Sequence, residues 1–111
     1  MITLLHEAPS MYDGYGVLVS NQDESWFIWS RDKANARKIK SYINKLTTDP
    51  FFDPYEESDS LEEFCYVVEE DLAQVYNIHV TYNDVSDLEM SNDVLSVDGD
   101  NFCNIIGYVD L

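Results

Sequence analysis

Beyond residue 45 the chain has no lysine and no arginine. Residues 46–111 carry ten Asp and seven Glu, a formal charge of −17, whereas the first 45 residues hold five acids and all six basic residues for +1; the net charge is −16. Cysteine is almost as scarce. Cys65 and Cys103 lie far apart, with no C-x-x-C pair and no neighbouring histidine, which argues against a zinc site or a disulfide framework and for two buried free thiols. The start, Met1 to Glu7, has neither a basic stretch nor a long apolar run, so it does not read as a signal peptide. No window approaches the ~18 apolar residues of a membrane span. Catalytic signatures are missing too. There is no G-x-S-x-G, P-loop, G-x-G-x-x-G or H-E-x-x-H, and the two histidines, His6 and His79, stand in no motif. The expectation is a soluble, cytoplasmic protein that is not an enzyme and carries no cofactor.

What is present suffices for a core. The 111 residues are 45% hydrophobic and 14% aromatic, unlike a disordered acidic tail, and the length suits one domain, 1–111. A charge of −16 exceeds the magnitude of about 2–8 that solubility needs. It repels nucleic acid and anionic lipid and attracts basic surfaces.

Ile2 to His6 reads as a short strand. Tyr15 to Ser20 and Ser25 to Ser30 read as a hairpin closed by the polar turn Asn21-Gln22-Asp23-Glu24. Alternation sends Trp26 and Ile28 to one face and Phe27 and Trp29 to the other. With both faces apolar, this strand is either covered on both sides, the favoured reading, or leaves one aromatic face free for a partner. Asp32 is a plausible N-cap for a helix over 33–47. Ala36, Ile39, Ile43 and Leu46 form its apolar stripe, and Lys33, Arg37, Lys38, Lys40 and Lys45 its basic face. Asp49-Pro50 ends it.

Ser60-Leu61-Glu62-Glu63 is a capping box that opens a helix from Leu61 to about Tyr76. Its expected stripe is Leu61, Phe64, Cys65, Val68, Leu72 and Val75. Ile78 to Tyr82 reads as a strand, 83–92 as a loop or a short helix, Val94 to Val97 as a strand, and Asp98-Gly99 as a hairpin turn. Phe102 to Val109 reads as the last strand, with Cys103, Ile105 and Val109 on one side. The resulting order is β-β-β-α-α-β-β-β: an α+β domain with a mainly antiparallel sheet and two amphipathic helices on one face.

Two stretches emerge as candidate partner-binding surfaces. The loop with Phe52, Asp53, Tyr55, Glu56 and Glu57 mixes aromatic anchors with acids. The helix after Ser60 sets Glu62, Glu63, Glu69, Glu70 and Asp71 outside its apolar stripe, with no Lys or Arg four residues on. Asp98-Gly99-Asp100-Asn101 departs from a calcium loop position by position, so no metal site is assigned.

Three classes of function remain. The composition resembles that of small phage-encoded DNA mimics, the anti-restriction and anti-CRISPR proteins, in size and charge alone. That resemblance implies an inhibitor covering the basic nucleic-acid-binding surface of a nuclease or effector complex. An immunity protein neutralising a basic nuclease toxin follows the same logic. The second class is a non-inhibitory acidic interaction or assembly module, including a homodimer formed through the helix at 33–47. The third is an enzyme or metal-binding protein, which the absent motifs disfavour.

Overall fold

The computed structural model describes residues 11–51, 60–97 and 101–111. Six strands and two helices follow in the order β1 Tyr15–Ser20, β2 Ser25–Ser30, α1 Lys33–Thr47, α2 Leu61–Tyr76, β3 Thr81–Asp84, β4 Glu89–Ser91, β5 Val94–Val97 and β6 Asn101–Asp110. The strand expected at Ile2 to His6 and the turn expected at Asp98-Gly99 lie outside the described residues.

Both helices begin and end where local chemistry directs. The Asp32 carboxylate accepts from the Ala34 N–H at 2.8 Å, satisfying one of the amides that a helix start leaves open. Ser60 Oγ accepts from the Glu63 N–H at 3.2 Å. At the far end of α2, Asn77 takes the left-handed conformation (φ 54°, ψ 41°) and donates its N–H to Leu72 O, a common helix stop for asparagine. Thr48 closes α1 through its N–H and hydroxyl, both directed to Asn44 O.

The strands form one sheet in the order β3-β2-β1-β6-β5-β4. Its neighbours run antiparallel except the central β1–β6 pair, which is parallel. β3 and β4 are consecutive in sequence yet lie at opposite edges. The five steps from Asp84 to Glu89 reach at most ~18 Å, while five gaps in a flat sheet span ~24 Å. The sheet therefore curls into an open, barrel-like half-cylinder.

Curling makes two cores. On the convex face, α1 and α2 pack Ile39, Ile43, Phe64, Cys65, Val68 and Leu72 against Val17, Val19 and Ile28. The concave face holds Leu18, Phe27, Trp29, Val85, Leu95, Cys103 and Ile105. Trp29 and Phe27 are only 2% and 0% exposed and Ile28 is buried on the other face, so β2 is covered on both sides, the favoured of the two expectations. The Trp29 indole Nε1–H is satisfied by Asn83 Oδ1 at 2.7 Å. Cys65 and Cys103 are free, buried thiols in different cores on opposite faces of the sheet.

Four expectations need correction. Val109 does not share a side with Cys103 and Ile105. Gly16 pairs with Ile105 and Val17 with Gly107, so Ile106 is an extra residue, a β-bulge that resets the alternation. Val109 then packs on the helical side. The strand expected at Ile78 to Tyr82 begins only at Thr81 and runs to Asp84. Thr81 pairs with Trp29, and β2 ends one residue later as the chain turns into α1, so residues 78–80 have no strand to pair with there. Ile78 and Val80 nevertheless stay buried. The segment 83–92 is not a loop or helix. It contains the end of β3, the connection 85–88 and the exposed strand β4, which reaches β5 through Asn92-Asp93. Both turn residues have positive φ (52° and 66°), as a type I′ hairpin requires. Finally, Val75 leaves the apolar stripe: it is 67% exposed.

Candidate functional site

The ordered acidic surface is one face of α2. With ~100° between successive residues, Glu62 and Glu69 fall on one line, Glu63 and Glu70 on another, and Tyr66 lies between the lines. Each glutamate stands three or four residues from Tyr66, the spacing at which helix side chains meet. Tyr66 is 49% exposed. Glu62, Glu63 and Glu70 are exposed and Glu69 is half-buried. The result is an aromatic ring rimmed by four carboxylates.

Its electrostatics follow. Glu70 holds the Tyr66 phenol above its ordinary value, by its charge and by a hydrogen bond, with smaller contributions from burial and Glu69. Burial raises Glu69, and Glu70 adds repulsion, partly offset by His79. Near the positive N-terminal end of α2, Glu62 and Glu63 gain from the helix dipole. Glu69 and Glu70 lie past the middle and gain nothing there. Gln74 Nε2 donates to Glu70 Oε1 at 3.4 Å.

Asp71 plays another part. It is half-buried, and the Tyr42 hydroxyl of α1 donates to its Oδ2. That bond fastens α1 to α2, so Asp71 is an architectural residue. Of the ten candidate partner-binding residues, the structure thus gathers Glu62, Glu63, Glu69 and Glu70 on one face and sets Asp71 to the side. Phe52, Asp53, Tyr55, Glu56 and Glu57 lie outside the described residues. Sequence reasoning missed Tyr66. Its signal was available: acids at −4, −3, +3 and +4 around one aromatic on a strongly indicated helix.

The rest of the surface divides by charge. Lys33, Arg37, Lys38, Lys40 and Lys45 are all exposed on α1. The Lys33 ammonium lies 5.7 Å from the Tyr15 ring centroid, within cation–π range. Asp84, Asp87, Glu89 and Asp93 cluster in sequence around β4 and are exposed. Two Ser86 hydrogen bonds lower the Asp84 carboxyl. A hydrogen bond from Tyr108 to Asp93 pushes the phenol up to about 12.

A cleft of about 500 Å³ lies between Lys40, Asn44 and Thr47 of α1 and the end of β6. Among the described residues, no group of three His, Cys, Asp or Glu is placed to hold a metal ion, and no helix is long and apolar enough to cross a membrane. No family model, curated protein or solved structure matches the chain.

Proposed function

We propose that this chain is an acidic inhibitor that imitates nucleic acid and covers the basic surface of a nuclease or effector complex, the mode of action of anti-restriction and anti-CRISPR proteins. The observation that carries this reading is the α2 face. Four carboxylates over nine helical residues, Glu62 to Glu70, occupy ~12 Å of axis as two pairs, a mean spacing of ~4 Å. A single strand of duplex DNA presents one per ~3.4 Å. A site evolved to grip phosphates with Arg and Lys meets a similar charge density here, on a rigid rod that offers no scissile bond. Tyr66 adds what a phosphate row lacks, a π face on which an arginine guanidinium can stack. The remaining negative charge steers encounter and raises association rates by about ten- to a thousandfold.

The test begins with affinity capture from a host lysate at low salt, followed by competition with duplex DNA. A nucleic-acid enzyme should be retained, displaced by DNA, and lost at about 0.5 M salt, where screening reaches within roughly 4 Å. Glu63→Lys with Glu70→Lys should then slow association with the captured protein by about tenfold or more and leave the circular dichroism unchanged. Tyr66→Ala should speed dissociation instead. Binding that survives both charge reversals at full rate would rule out mimicry.

A further inference from the structure

The acidic face of α2 does not end at the helix. Its Cys65 side turns onto the outer strands of the sheet and meets two more aromatic rings there. The register sets Tyr82 opposite Ile28 and Asp84 opposite Trp26, so Trp26 and Tyr82 stand on the helical face with Ile28. Both are half-buried and pack against the core that holds Leu61, Cys65 and Leu72. Their ring centroids lie 5.9 Å apart at an interplanar angle of 48°, a tilted geometry that aromatic pairs favour and that steadies the Tyr82 ring. β3 is the edge of the sheet, so no described strand lies beyond Tyr82.

Glu62 and Glu69 stand two turns apart on α2, ~10.5 Å along the axis. Burial raises the Tyr82 phenol first; the charges of Glu69 and Glu62 follow, then Cys65 and Tyr66. The Tyr82 ring therefore lies against the part of α2 between the two glutamates, and Tyr66 stands one turn from each of them. The local charge is negative. Among the groups that act on Tyr66, Glu69 and Tyr82, the one basic side chain is His79, beside Glu69, and there is no Lys or Arg. The positive start of α2 offsets part of Glu62, but Glu24 Oε1 already accepts from the Leu61 N–H there at 3.3 Å.

A flat cation with several donors suits carboxylates and phenol rings at once. A guanidinium lays its face on a tyrosine ring while its edge N–H groups bond carboxylates. An ammonium is a compact, strongly hydrated point charge, and it gives up more hydration to approach half-buried Glu69. We propose that Tyr66 and Tyr82, with Glu62 and Glu69 at either end, form a site for one arginine side chain of a partner protein and prefer arginine to lysine. The proposal deepens the reading of α2 as a docking face and rests on it for the partner's being a basic protein. A row of phosphates attracts both cations by charge; the two rings add discrimination between them.

Titration with tri-arginine and tri-lysine peptides at about 0.1 M salt, followed by NMR, tests the site without the partner. Tri-arginine should bind about three- to fivefold tighter. The Trp26 indole N–H, which is buried and has no hydrogen-bond partner, should shift with tri-arginine, and the Trp29 indole N–H, held by Asn83 in the other core, should not. Tyr66→Leu and Tyr82→Leu should each bring the two peptides within about twofold, whereas Tyr66→Phe and Tyr82→Phe, which keep the ring, should retain the preference. Tyr66 is 49% exposed, so its leucine variant tests the ring without disturbing the core; circular dichroism verifies folding of every variant. Glu62→Gln with Glu69→Gln should weaken tri-arginine by about tenfold. Asp13→Asn with Asp93→Asn removes the same charge at two exposed positive-φ positions, where asparagine is at ease, and should leave it within about twofold. Equal affinity for the two peptides overturns the proposal, as does a preference that survives both leucine variants or equal weakening by the two carboxyl pairs. A lysate capture that retains no nucleic-acid enzyme overturns the mimicry reading instead, and the peptide preference is measured without that enzyme.

Discussion

Gly16 gives the sharpest test of how β1 and β2 are joined. It sits opposite Trp29 in the register, and a Cβ there would lie 2.2 Å from Ile28 O and 2.7 Å from Trp29 Cβ. Neither atom can swing aside, because one belongs to the backbone and the other is the root of a side chain buried to 2% exposure. Gly16→Ala must therefore push the strands apart by about 1 Å. Overpacking of this kind costs about 1–3 kcal/mol. Moving Trp29 also weakens its bond to Asn83, worth about 1 kcal/mol. The expected loss is about 2–4 kcal/mol out of a typical total of about 5–15. In urea, with a slope of ~2 kcal/mol/M, the midpoint should fall by about 1–2 M, read by tryptophan fluorescence. Gly107→Ala is the matched control. Its Cβ would meet only the stem of exposed Lys40, at 3.3–3.5 Å, and reduced freedom of the unfolded chain compensates by about 0.4–1 kcal/mol. It should leave the midpoint within about 0.3 M. Equal shifts for the two variants, or no shift for Gly16→Ala, would refute the packing argument.

Other perturbations separate electrostatics from packing. Cys65, pushed up to about 12 chiefly by burial and then by Glu24 and Glu62, keeps its proton when folded and loses it near pH 9 when unfolded. Folding should therefore weaken by about 1.4 kcal/mol per pH unit above 9, and Cys65→Ala should remove most of that slope in urea titrations at pH 8 and 10. Glu69 is raised by burial and by Glu70, so its charged form opposes folding at neutral pH, and that penalty fades as pH falls through its folded value. Glu69→Gln should raise the melting temperature at pH 7 and lose the advantage near pH 4. Tyr42→Phe removes the donor to half-buried Asp71 and should cost about 1.5–3 kcal/mol, with faster amide exchange where α1 meets α2.

Much of the candidate site was legible before any coordinates. The acids of α2 and their two lines follow from helical periodicity and from the Ser60 cap, both set by residues within one or two turns. Tyr66 is equally local, one helical turn from each of the four acids that flank it. Val75 and Asp71 could not be placed. The same periodicity that buries Leu72 points Val75 inward, but whether a neighbour stands there depends on where the sheet ends. Asp71 differs from Glu70 only through Tyr42, 29 positions away.

The sequence by itself determined the helices, their caps, the first hairpin and the excess of negative charge, because these depend on side chains near one another along the chain. Tertiary structure alone decided the parallel pairing of β1 with β6, the bulge at Ile106 that turns Val109 to the helical side, and the curl that buries Phe27 and Trp29. Each is a choice among pairings of distant segments. The short connection 85–88 between opposite sheet edges, more than any propensity, forces that curl.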